Sequence, residues 1–182
     1  AREGIPVCAH AGLVPAKGYE VGARTEWIKG LQSSVALWKL DFDSELVYVG
    51  DAGATEANRP STRRGVEWNN RYVPVPWLLL DADLAWTHAR FANADPAGDR
   101  IPNSVDKVAS LAVTVRDLGP WSAGLQWRYL GAGALIEDNS VRSRSSTTTN
   151  LRIARKFGRV AELGVDVFNL LDRRVNDIEY FY

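Results

Sequence analysis

The chain has 182 residues, and 22 Lys and Arg balance 22 Asp and Glu to a formal net charge of zero. That balance excludes the basic excess of a nucleic-acid binder and the acidic excess of a disordered tail, and a hydrophobic content of 46 % excludes disorder. A single cysteine, Cys8, excludes an internal disulfide and a zinc site built on thiolates alone. The longest near-continuous apolar run, Val73 to Leu80, contains two prolines and falls far short of the roughly 20 residues of a spanning helix. No signal-peptide pattern opens the chain and Met is absent, so the sequence reads as beginning inside a longer or processed precursor. Seven Trp at a mean hydropathy of −0.21 point to alternation, with one face apolar and the other polar.

The first sixteen or so residues show no period and are expected to be an irregular lead-in or an extracellular loop. From Tyr19 to Trp27 the odd positions are apolar or Thr and the even ones charged or Gly. Ala36 to Asp43 sets Ala36, Trp38, Leu40 and Phe42 against Lys39, Asp41 and Asp43. Ser61 to Tyr72 sets Val66, Trp68 and Tyr72 against Glu67, Asn69 and Arg71. Trp77 to Phe91 sets Leu78, Leu80, Ala82, Leu84 and Trp86 against Asp81, Asp83 and Thr87. Lys107 to Asp117 and Trp121 to Leu130 continue the pattern, with Arg116, Gln126 and Arg128 on the polar side. Thr147 to Phe157 places Arg152 opposite Leu151 and Ile153, and Val160 to Asn169 places Asp166 opposite Val165 and Val167. Strict period two over such lengths predicts about eight long strands across residues 17–169 and no helix. Residues 170–182 are expected to form a last loop.

The connections alternate. Lys29-Gly30, Val73 to Pro76, Leu118 to Pro120 and Gly158-Arg159 are short, and long polar loops run roughly from Gly50 to Pro60, Ala92 to Asp106 and Ala132 to Ser146. The expected fold is all-β, an antiparallel up-and-down meander. Two solvents are compatible with its apolar face. A soluble lipocalin-like barrel buries that face inside, and an outer-membrane barrel turns it to lipid around a polar interior. Strands of roughly 10 to 15 residues, against the usual five or six, favour the membrane. So do the loop asymmetry and the aromatics near the strand ends: Trp27, Trp77, Trp121 and Phe157 at the short turns, Phe91 and Tyr129 at the long loops.

Particular segments then resemble a known family. Lys17 to Gly22 resembles the "KGxEVG" strand opening in barrels of TonB-dependent outer-membrane receptors. Ser44 to Asp51 followed by Arg64 to Glu67 resembles their strand, loop and "RRGVE" return. Val167 to Asp177 resembles the "vfNLfDrrYnDi" segment before their last strand, with Val175 where the family usually has Tyr. The resemblance extends over nearly everything after Pro15. It implies part of a transmembrane β-barrel in the bacterial outer membrane. The implied whole is a 22-stranded receptor, of which this chain would be about the C-terminal third, without plug domain or final strand. It further implies import of a scarce ligand such as an iron-siderophore, with outer-membrane lipid, the siderophore and the TonB complex, reached through the plug, as partners.

Catalytic, metal and cofactor chemistry is not expected. Cys8 and His10 read as incidental loop residues, and His88 as an interfacial aromatic. Nothing resembles a nucleophile elbow or a phosphate-binding loop. Asp81 and Asp83 could be paired acids, but they read better as part of a hydrated wall balanced by Arg71, Arg116, Arg128 and Arg152. Candidate lumen-lining residues are Lys39, Asp41, Glu67, Asp81, Asp83, Arg116, Gln126, Arg128, Arg152 and Asp166. Trp38, Leu40, Phe42, Leu80, Leu84, Trp86, Val113, Leu125, Trp127, Ile153 and Val165 are expected together on the outer, convex face. The alternative function is a self-contained eight-stranded binding barrel, lipocalin-like or membranous, which would pair residues near 19–27 with residues near 161–169 to remove its edges.

Overall fold

A computed structural model describes residues 14–49, 54–92, 95–176 and 179. Eight strands build one antiparallel sheet. They are β1 (Ala16–Thr25), β2 (Leu31–Phe42), β5 (Ser61–Val75), β6 (Leu78–Phe91), β7 (Lys107–Leu118), β8 (Trp121–Leu130), β9 (Ser146–Phe157) and β10 (Ala161–Val167). A separate hairpin, β3 (Leu46–Val49) and β4 (Ala54–Ala57), extends the connection between β2 and β5. The expected meander is therefore present, and the hairpin is an addition to it. Its sequence signal is the β-prone run Leu46-Val47-Tyr48-Val49 inside a segment otherwise read as loop.

Each strand of the main sheet hydrogen-bonds its sequence neighbour, in the order β1-β2-β5-β6-β7-β8-β9-β10. Tight reversals join β5 to β6 at Pro76-Trp77 and β7 to β8 at Gly119-Pro120. Gly30, Gly119 and Gly158 take the positive φ that these short turns need. At Gly30 the constraint is doubled, because a Cβ would stand 2.3 Å from the Val73 carbonyl oxygen. Asn169 and Asp172 also adopt positive φ, and the Asn169 side chain bridges to the backbone of Arg173, so the segment after β10 is an Asx-stabilised turn.

No ladder joins β1 to β10 among the described residues, and both strands are exposed along their length. They are the edges of an open sheet. A self-contained closed barrel is thereby overturned. The expected apolar core of a lipocalin-like barrel is missing too: Leu84, Trp86, Leu111, Val113, Leu125, Ile153 and Val165 lie exposed on one face. An apolar face of this extent needs a non-aqueous covering.

Register decides which residues share a face, because directly opposed antiparallel residues point the same way. One lateral row reads Val35, Trp68, Leu84, Ala109, Tyr129 and Thr147. The next reads Tyr72, Leu80, Val113, Leu125, Leu151 and Val167. These rows make the apolar face. The other face carries Arg24, Ser34, Asn69, Asp83, Ser110, Arg128 and Thr148 in one row. Gln32, Arg71, Asp81, Ala112, Gln126 and Asn150 form another.

In β2 the expected faces are reversed. Trp38 opposes Glu20 and Gly65, and Leu40 opposes Gly18 and Arg63, so Trp38, Leu40 and Phe42 belong to the polar face. Lys39 opposes Tyr19 and Arg64, and Asp41 opposes Lys17 and Thr62, so these two leave the lumen-lining set for the apolar face. The physical reason is that β2 is apolar at both parities over Val35-Ala36-Leu37-Trp38. Its own period cannot orient it; its neighbours do. Phe91 also moves: it belongs to the polar face and is buried beneath loops, away from any interfacial girdle.

Candidate functional site: the long-loop end

All the long connections leave the same end of the sheet, and they fold onto one another there. Their described residues are 43–49 and 54–60, 92 and 95–106, and 131–145. The ladder of β2 and β5 first continues upward, with the Glu45 N–H donating to the Arg59 carbonyl and the Asn58 N–H to the Glu45 carbonyl. The Glu45 carboxylate accepts from the Ser61 hydroxyl and from the Arg63 guanidinium. Arg63 in turn stands 5.7 Å from the Phe42 ring centroid. Ser61 is almost fully buried, so its hydroxyl requires such a partner.

Arg59 ties the loops together. Its guanidinium stacks 4.3 Å over Phe91, pairs with Glu137 at 2.6 Å and donates to the Gly98 carbonyl at 3.3 Å. Glu137 also accepts, through its main-chain carbonyl, from the Arg100 N–H at 3.0 Å. Below this contact Ala89, Phe91 and Ile101 make a small apolar core, with Val47 packed against it. Asp99 lies 3.4 Å from Arg90 and 4.0 Å from Arg100. The Asn103 N–H reaches the Ala134 carbonyl, and Gly133 packs so closely that a Cβ would stand 2.7 Å from the Ser104 carbonyl oxygen. In the third loop the Ser140 N–H donates to Asp138 at 2.9 Å, which holds that carboxyl below the usual carboxylate range.

A groove of about 320 Å³ opens beside this assembly, walled in part by Val47, Asn103, Leu130, Ser143, Arg144 and Asn176. Its lining mixes apolar side chains with hydrogen-bonding groups, and its two charged residues, Arg144 and Glu179, are of opposite sign. No group of His, Cys, Asp and Glu suited to hold a metal ion occurs among the described residues.

The charged strand residues sit apart from this groove, further down the sheet. Register places Glu67, Asp81, Asp83, Gln126, Arg128, Arg152 and Asp166 on the polar face. Arg116 follows Val115 in β7, where the register with β8 shifts before Leu118. Arg152 and Asp166 pair at 3.1 Å across β9 and β10. Asp81 and Asp83 border a shallow polar depression that also holds Arg71, Asn69 and Arg24. The structure does not bring these acids to a histidine: His88 belongs to the apolar face, opposite Arg64. Cys8 and His10 lie outside the described residues. The loop-locking residues Arg59, Glu45, Glu137 and Arg100 escape sequence reasoning because loop spacing carries no period.

Comparison with known proteins agrees with this architecture. Residues 15–170 match the model for the TonB dependent receptor-like β-barrel. The chain belongs to that family, and its sheet is part of a transmembrane β-barrel of the bacterial outer membrane. Among solved structures, the ferric yersiniabactin uptake receptor FyuA from Yersinia pestis superposes with a TM-score of 0.72 at 19 % identity, over 87 % of this chain and 25 % of that one. The ferric-catecholate import receptor Fiu from E. coli K12 gives 0.69 at 17 %, over 87 % of this chain and 23 % of that one. The copper transporter OprC gives 0.66 at 21 %, over 87 % and 26 %. The chain thus spans about a quarter of the length of these receptors, and the likeness is one of fold.

Proposed function

We propose that the protein containing this chain is an outer-membrane receptor that captures a scarce ligand, such as a ferric siderophore, at its outer loops and imports it in a TonB-dependent way. The observation that carries the reading is the locked loop end. Arg59 joins all three loops over a small apolar core, which preorganises the groove beside Asn103 and Arg144 at low entropic cost to binding. Family membership supplies the outward direction of long loops. The polar rows supply a hydrated wall for passage, with Glu67, Asp81, Asp83, Arg116, Gln126, Arg128, Arg152 and Asp166 as its charged and amide members. The named ligands of similar receptors include ferric yersiniabactin, ferric catecholates and copper.

The test is uptake. Cells lacking the gene are supplied with radiolabelled iron on a panel of siderophores, and with copper. The full-length receptor is expected to restore uptake of one chelate, in a manner lost when TonB is removed. Uptake of none, or uptake indifferent to TonB, overturns the reading.

A further inference from the structure

The apolar face does not end evenly at the long-loop side. Lys39, Arg64 and His88 follow one another across β2, β5 and β6 in a single register row. Lys107, opposite Trp86, lies one row nearer the short turns on the next strand. Adjacent strands are about 4.8 Å apart, so the three-residue row spans about 10 Å. Directly below it, Leu37, Val66 and Trp86 form another row, and these three line a mainly apolar groove of about 400 Å³ that is bounded by Arg64 and His88. Leu37 and Trp86 are more than half exposed there. A guanidinium and an imidazole at the rim of an apolar groove, with Lys39 beside them, on a surface that meets lipid, match a headgroup above an acyl chain.

Charge pairing inside the chain reaches Lys39 in this row and leaves Arg64 uncompensated among the described residues. Asp41 is the acid on this face of β2; it holds Lys39 at 2.9 Å and accepts from the Thr62 hydroxyl. Arg64 and Lys107 have no carboxylate within ion-pair distance among the described residues. Arg90, two residues beyond His88, turns to Asp99 of the second loop. A guanidinium at the membrane boundary with no internal acid is stabilised by an external anion, and phosphate oxygens fit it best.

We infer that Lys39, Arg64, His88 and Lys107 form an outward-facing site for the phosphate-bearing headgroup of an outer-leaflet lipid, with an acyl chain in the groove of Leu37, Val66 and Trp86. The inference rests on the outer-membrane placement, which sets the long-loop end in the outer leaflet, and does not depend on what the receptor imports.

The test uses the full-length receptor in detergent and native mass spectrometry. The probes are bisphosphorylated lipid A and the same lipid with its phosphates removed. The wild type is expected to retain the phosphorylated form preferentially. Lys39→Gln with Arg64→Gln should reduce that retention by about ten-fold, the scale of a lost charge-assisted hydrogen bond. Lys156→Gln, at the short-turn end, should leave it unchanged. Heat-dependent migration on gels checks that each barrel is folded. A single Arg64→Gln variant serves if the double variant fails that check. Equal retention by wild type and variant overturns the site. So does equal retention of the dephosphorylated lipid, and so does displacement of the lipid by inorganic phosphate alone, which would mean a simple anion site. Failure here leaves ligand uptake intact, whereas failure of the transport reading leaves lipid retention intact.

Discussion

The indole of Trp38 fills the place a side chain on Gly65 would need: a Cβ there would stand 2.5 Å from Trp38 Cζ2. Gly18 yields similarly to Leu40, with a Cβ at 2.6 Å from Leu40 Cδ2. Large side chains on β2 and glycines on its flanking strands are thus one device. They let apolar groups lie flat on a face that is otherwise polar.

That relationship predicts the effect of Gly65→Ala. The added methyl must displace Trp38 or the β6 backbone, whose Trp86 carbonyl oxygen would be 2.8 Å away. Overpacking of this kind costs roughly 1–3 kcal/mol. Folding of the full-length receptor into lipid vesicles, followed in urea, measures it. Trp38→Ala in the same background should recover part of the loss. Additive losses would show that the two residues do not compete for space.

Face assignment makes a sharper prediction in β6. Leu84 lies on the apolar face and Asp83 on the polar one. Leu84→Arg should cost about 2–4 kcal/mol in lipid, and Asp83→Arg far less, because a lumen substitution keeps its charge in water. Vesicle refolding titrations of both variants give the comparison. Equal costs would contradict the register.

Polar groups on the apolar face satisfy one another. Trp68 Nε1 donates to Ser33 Oγ at 3.0 Å, Ser33 donates to Asn70 Oδ1 at 2.6 Å, and Asn70 donates to the Ala82 carbonyl at 3.2 Å. Water is not at hand in hydrocarbon to replace a lost partner. Ser33→Ala should therefore cost about 1–3 kcal/mol, the price of an unsatisfied group. Trp68→Phe in that variant removes the orphaned donor and should return part of the stability in the same titration.

At the loop end, Arg59→Ala should free the three loops from one another while the strands stay paired. The expected change is on the order of 1 kcal/mol in local opening, since the ion pair is partly exposed. Hydrogen exchange reads it at the Arg100 amide, which donates to Glu137. Unchanged protection there would mean that Arg59 is not the tie.

Acid should loosen the turn at Asp138 in the third loop. Its carboxyl is held low by the Ser140 N–H, then by the Ser140 hydroxyl. A lowered folded value means the turn is stabilised above the ordinary carboxylate pKa and loses that support as pH falls through the depressed one. Exchange at the Ser140 amide, corrected for intrinsic rates, should accelerate as pH falls below about 4. Asp138→Asn should flatten the dependence.

Much of this protein is legible in its residues because a strand between two solvents must alternate. In β6, Leu80, Ala82, Leu84 and Trp86 against Asp81 and Asp83 leave one way to face lipid, and tight turns such as Gly119-Pro120 then force each strand beside its predecessor. The strand count, the meander, the polar rows and the short and long ends all follow from those local rules. What the tertiary structure alone decided is where period two is silent. β2 is apolar at both parities, so the hydrogen-bond ladders to β1 and β5, with Gly18 and Gly65 making room, turned Trp38 to the polar side and Lys39 to the apolar side. The loop end is likewise a tertiary product. Arg59 is far in sequence from Phe91, Gly98 and Glu137 and has no periodic relation to them, and only the convergence of three strand ends brings a guanidinium to a ring, a carbonyl and a carboxylate together.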